Sequence, residues 1–175
     1  MPFSVPAGSA LRRILFASVT VALIAGASAL TPIARADTPA QTRQTIQAVC
    51  NRAAASYERR DASGFMAMHS PNFTARNVTG RKATLSQERA AIAKAMTRKG
   101  VYEAAQCLVS PVVFQGSRAA VVLHWRFTTH HARSSSVPAY TMVRAYDEQT
   151  TWEKVPQGWQ EDSADMTRDV AEYKR

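Results

Sequence analysis

Thr150–Asp165 reads "TTWEKVPQGWQEDSAD", and its turn decides how the C-terminal part of the chain folds. Two runs of strand-forming residues flank Pro156-Gln157-Gly158, which is a hairpin signal. Val-Pro-Gln-Gly suits a type I turn with Gly158 in the left-handed conformation, a three-residue loop with a bulge. That closure sets Val155 opposite Trp159, Lys154 opposite Gln160 and Trp152 opposite Asp162. Trp152 then shares an inward face with Asp162, Ala164 and Met166, and Trp159 covers the outer face or a subunit contact. Tryptophans on opposite faces cannot form one aromatic platform, which argues against a sugar-binding surface. A two-residue loop would place both on one face, so the inference depends on turn type.

Upstream, four more stretches alternate with period two: "VYEAAQCLVS" (101–110), "PVVFQG" (111–116), "AAVVLHWRFTTHH" (119–131) and "AYTMVRAYDEQTTWEKV" (139–155). All are rich in β-branched and aromatic residues and are separated by Ser, Pro and Gly turn signals. In the third, Leu123, Trp125 and Phe127 form one face and His124, Arg126 and Thr128 the other. The fourth exceeds the usual strand length and is predicted to bend at Asp147-Glu148.

Before Gly100 the period is helical. Ile46, Val49, Cys50, Ala53 and Tyr57 recur at three- and four-residue steps within 38–60, predicting an amphipathic helix with one buried stripe. Asp61 can cap a short helix over "ASGFMAMH" (62–69), and "NFTAR" (72–76) reads as a short strand. His69, at that helix's end, reads as a solvated turn residue. Thr84 and Gln87 form a capping box for a third helix, which runs through Leu85, Ile92 and Met96 to a stop at Gly100. Helices first and antiparallel strands afterwards predict an α+β fold, N-terminal helices packed on one side of a strongly curved antiparallel sheet.

Residues 1–36 read as a cleavable export signal: Arg12-Arg13, an apolar run, then Ala34 and Ala36 in A-x-A spacing. The rival is an uncut anchor, disfavoured by Pro32, and the paired arginines leave twin-arginine export open. Residues 37–175 then form a single domain, exported to a periplasmic or extracellular space without a stable membrane anchor. Three of 22 basic residues and none of 13 acids lie in the signal, so the domain carries 19 − 13 = +6. A surplus of this size does not diagnose nucleic-acid binding, and no nucleic-acid partner is expected. Cys50 and Cys107 are a candidate disulfide in an oxidising compartment, with two buried free thiols as the alternative.

Two local patterns carry a family likeness. "AASYERRDASGFMAMHSPNF" (54–73) resembles the opening of the nuclear transport factor 2-like superfamily, and "TWEKVPQGWQ" (151–160) resembles its closing hairpin. The superfamily includes ketosteroid isomerase, SnoaL-type polyketide cyclases and scytalone dehydratase. The resemblance spans Thr42 to Arg168 and implies a cone, a bent sheet wrapping helices around an apolar hollow. Tyr57, Phe65, Met68 and Phe73 are then expected to line the hollow from the helical side, and Trp125, Phe127 and Trp152 from the sheet.

The superfamily hosts unrelated activities, so fold alone does not assign one. The leading expectation is a dimeric domain of this type that binds a small hydrophobic molecule without converting it. The alternatives are an isomerase, cyclase or dehydratase with Asp162 as proton-transfer residue, and a protein-association module using the outer face and Trp159. Glu103 and Asp61 are weaker acids for such a role. No cofactor is implied. His124, His130 and His131 do not suit one metal ion, because His130 and His131 point to opposite faces and His124 lies far along the strand. No G-x-S-x-G, phosphate-cradling glycine loop or H-E-x-x-H motif is present.

Overall fold

The computed structural model describes residues 37–97 and 101–174, with backbone alone at 101–103. The export signal predicted for 1–36, the stop at Gly100 and the side chain of Glu103 lie outside the described residues.

Helix α1 (Pro39–Glu58) starts at a capping box: Thr38 accepts from the Gln41 N–H, the Gln41 side chain accepts from the Thr38 N–H, and Pro39 pre-sets the first turn. Its buried stripe is Thr42, Ile46, Cys50, Ala53 and Ala54. Arg60, in the left-handed conformation, turns the chain into α2 (Ala62–Met66), where Asp61 Oδ1 accepts from the Gly64 N–H at 2.9 Å. Strands β1 (His69–Arg76) and β2 (Lys82–Thr84) form a hairpin, followed by α3 (Leu85–Met96) with the expected Thr84/Gln87 box. Only Met96 of α3 is fully buried. The remaining strands are β3 (Val101–Val109), β4 (Val113–Gln115), β5 (Arg118–His131), β6 (Tyr140–Val155) and β7 (Gly158–Lys174).

The sheet order is β2-β1-β7-β6-β5-β3, with β4 also on β5. One pairing departs from the antiparallel expectation: β1 runs parallel to β7, with His69 opposite Glu161. No short turn joins these two strands, so no hairpin dictates their direction. The long β6 shifts register at Asp147/Glu148, where a bend was expected, and again at Thr151/Trp152. On β5, Leu123, Trp125 and Phe127 are buried, and the Phe127 ring lies 4.4 Å from that of Tyr57 on α1.

The β6–β7 hairpin differs from the three-residue expectation. Val155 pairs with Gly158, Lys154 with Trp159 and Trp152 with Glu161, so the loop is Pro156-Gln157 alone. The extra residue comes later, at Asp162, between the Trp152–Glu161 and Thr151–Ser163 pairs. Both tryptophans therefore face the core, Trp152 at 0% and Trp159 at 6% exposure. Trp159 does not cover the outer face, and Asp162 does not stand opposite Trp152. Burying an indole is worth about 4 kcal/mol by area, which outweighs the local preference of one turn type.

At the β3 edge, α1 supplies hydrogen bonds that a neighbouring strand would otherwise make. Gln47 donates to Cys107 O at 2.7 Å and accepts from the Val109 N–H at 3.0 Å, Arg43 donates to Val109 O, and Glu58 accepts from the Ala105 N–H. Cys50 and Cys107, with Cα atoms 5.7 Å apart, form a disulfide across this same junction.

Candidate functional site

The bulge at Asp162 keeps Glu161 on the inner face and lets Ala164 and Met166 follow on that face. Parallel pairing with β1 then brings His69 beside Glu161. Bending at Asp147/Glu148 likewise turns Glu148 inward. These residues meet in a cavity of about 100 Å³, walled by Phe65, Met68, Phe73, Ile92, Trp125 and Tyr146.

Hydrogen bonding fixes the tautomer of His69. Its Nδ1 lies 3.1 Å from the Met66 carbonyl, which can only accept, so Nδ1 carries the proton. Nε2 is then the acceptor, and it lies 3.3 Å from Glu161 Oε2. Burial lowers the His69 pKa to about 4, with the Met66 carbonyl opposing and Arg89 assisting, so the ring is neutral. Burial pushes the Glu161 carboxyl well above its usual range, and the charge of Glu148 pushes it further. Both shifts favour a neutral pair in which Glu161 Oε2–H donates to His69 Nε2. Glu161 is 1% exposed, and its other oxygen, Oε1, has no partner.

Glu148 is pushed up to about 7, chiefly by burial; Trp125 opposes the shift, Glu88 adds to it, and Arg144 lowers it slightly. It forms no ion pair among the described residues. The Trp125 Nε1–H, close enough to favour the Glu148 anion, makes no hydrogen bond of ordinary geometry. Burial also raises the Tyr146 pKa, keeping that phenol neutral.

A second cleft of about 340 Å³ adjoins the first and shares Phe65, Ile92 and Tyr146 as walls. Tyr57, Phe127, Tyr140 and Tyr173 complete its aromatic lining. Arg144 reaches into it, held by paired 2.8 Å hydrogen bonds to Asp169 and 5.4 Å from the Tyr146 ring centre.

The predicted lining residues divide between the two spaces. Phe65, Met68, Phe73 and Trp125 line the inner cavity, and Tyr57, Phe65 and Phe127 the outer cleft. Trp152 lines neither; it is core, and its indole N–H donates to Thr150 Oγ1 at 2.8 Å. Asp162 faces away from the hollow, where it accepts from Ser70 Oγ at 3.2 Å and pairs with Arg118 at 3.1 Å. His69 is enclosed by Phe65, Phe73 and Glu161 and is not a solvated turn residue. Glu161, Glu148 and His69 were not singled out as site residues from sequence. The signal available for Glu161 was its period-two spacing from Trp159, once the loop is two residues long. Asp61 is a helix cap, as expected. His124 pairs with Asp147 on the outer face, and His130 contacts Thr141. Among the described residues no three His, Cys, Asp or Glu side chains converge as a metal site.

No family model matches the sequence, and no curated protein matches it. Solved structures do match. A nuclear transport factor 2 superfamily protein from Salmonella enterica serovar Typhimurium is 19% identical, with 74% of this chain and 92% of that one covered at a TM-score of 0.55. A ketosteroid isomerase-like protein from Erwinia carotovora atroseptica is 16% identical, covering 72% and 95% at 0.53. A conserved protein from Planctomyces limnophilus is 15% identical, covering 74% and 96% at 0.60. At these identities the likeness is one of fold.

Proposed function

From a nuclear transport factor 2-like fold with an acid-lined hollow, we propose proton transfer on a small, largely apolar molecule. The observation that carries this reading is convergence: Glu148, the Nε1–H of Trp125 that faces it, and the partnerless Oε1 of Glu161 all border one cavity of mixed polar and aromatic lining. A carboxyl poised near neutrality is suited to take and return a proton at the working pH. Glu148 fills that role. Trp125 Nε1–H donates to an oxygen of the ligand, where negative charge develops as carbon loses its proton. Glu161 Oε1 accepts from a ligand hydroxyl, while His69 holds the carboxyl in place through Oε2. The aromatic cleft takes the apolar body of a molecule too large for the inner space.

A second reading, binding without conversion, is favoured by that cleft, whose aromatic walls need no chemistry to hold a ligand. Cyclopentanone in deuterium oxide separates the two. Proton transfer predicts accelerated exchange of its α-hydrogens by NMR, abolished in Glu148→Gln with saturation-transfer binding retained. Binding without exchange favours the second reading, and no binding rejects both for this ligand class.

The disulfide supports an exported protein, as does the signal pattern of residues 1–36. N-terminal sequencing of secreted material tests this, with Asp37 the expected first residue.

A further inference from the structure

The two edges of the sheet are treated differently. Side chains of α1 occupy the backbone groups of β3. On β7, pairing with β1 ends at Asp165, and from Met166 to Lys174 the strand pairs only with β6 among the described residues. That free stretch contains no proline, and Val170 on it is 40% exposed. An open edge of this length is a template for another strand.

We propose that this edge pairs antiparallel with the same edge of a second copy of the chain, in the register centred on Val170. The choice of register follows from symmetry and charge. In a twofold antiparallel pair, directly opposed residues lie on the same face, so the axis must pass beside one residue that meets its own copy. Centring on Arg168, Asp169 or Glu172 sets like charges directly opposite. Centring on Thr167 opposes Asp165 to Asp169, and centring on Ala171 opposes Arg168 to Lys174. Centring on Val170 sets valine against valine and Arg168 against Glu172 twice, once on each side of the axis. Opposite-charge cross-strand pairs and an apolar centre then reinforce the same pairing. Arg168 and Val170 share the outer face, because Arg168 stands opposite Asp147, which pairs there with His124. On the inner face Tyr173, a wall of the aromatic cleft, stands opposite Thr167 of the second copy. Association therefore extends the rim of the cleft.

Sedimentation equilibrium over micromolar to submillimolar concentrations tests the register through charge reversal. The purified chain is expected to dimerise. Glu172→Arg, which breaks no ion pair among the described residues, is expected to weaken the dimer by about 10-fold or more, because two attractive pairs become repulsive. Arg168→Glu has the same expected effect, and the double variant R168E/E172R is expected to restore the dimer. Thermal melts confirm that each variant is folded before its association is read. A chain that stays monomeric overturns the proposal. So does a dimer indifferent to Glu172→Arg, or a double variant no tighter than either single one.

Discussion

Trp152 stands directly opposite Glu161 across the β6–β7 hairpin, so the indole that closes the core and the carboxyl that enters the hollow lie on one face. Trp152 is sealed by its hydrogen bond to Thr150, whereas Glu161 keeps one oxygen without a partner. A buried carboxyl in that condition costs stability, because the lost hydration is not replaced. It lies beside Glu148 and Trp125 in the wall of the inner cavity.

Stability should depend on pH through opposed groups, the raised carboxyls of Glu148 and Glu161 against the lowered His69. Glu148 is raised from 4.5 to about 7, so its contribution is complete below 4.5 and is lost as pH rises through about 7. His69 is lowered from 6.5 to about 4, so its contribution is present above 6.5 and is lost as pH falls toward 4. Glu148→Gln should therefore be more stable than wild type by about 3 kcal/mol at alkaline pH and nearly equal to it in acid. Denaturant titrations of both proteins across this range measure the difference.

Glu161→Gln should leave the His69 contact standing, because the amide N–H can donate to Nε2 and the amide oxygen can still face the cavity. The expected outcome is a folded variant with the His69 ring still neutral at pH 6, read from its NMR shifts. A ring that titrates near 6.5 in this variant would show that the amide does not replace the carboxyl in holding His69 in its buried place.

Gln47→Ala should cost about 1–3 kcal/mol, because it strands the Val109 N–H and Cys107 carbonyl at the edge of β3. Hydrogen exchange should speed up at Val109 before it does in β5. Aggregation on storage should rise, since the edge would then be open.

Cys50 and Cys107 are buried, so alkylation of the native protein under mild reductant should be slow and should accelerate with denaturant. Replacing both by alanine should lower stability by about 4 kcal/mol on the chain-entropy estimate for a loop closed across this separation. Equilibrium unfolding of the double variant measures the loss.

Trp159→Ala should cost about 3–5 kcal/mol, as for a core indole, and should not act as a surface truncation within about 0.5 kcal/mol. Chemical denaturation distinguishes the two outcomes directly.

Local pattern was a good guide wherever one element carried its own signal. The Thr84/Gln87 box, the Asp61 cap, the bend at Asp147-Glu148 and the inward Leu123, Trp125 and Phe127 are set by backbone period and by hydrogen bonds between near neighbours. The identity of the acid was not readable in that way. Pro156-Gln157-Gly158 is compatible with two loop lengths, and a one-residue change in register exchanges Asp162 for Glu161 at the inner face. His69 was misread for a related reason: it stands at a helix end before Ser70-Pro71, and the residues that enclose it come from β1, α2 and β7.

The sequence by itself determined the order of helices and strands and the faces that β5 must bury, because these follow from periodicity along the chain. Only the tertiary structure decided that Trp159 joins Trp152 inside, that β1 lies parallel to β7, and that Glu148, Glu161 and His69 therefore share one cavity. Those outcomes depend on how much apolar surface is buried between segments distant in sequence, and no local pattern encodes that balance.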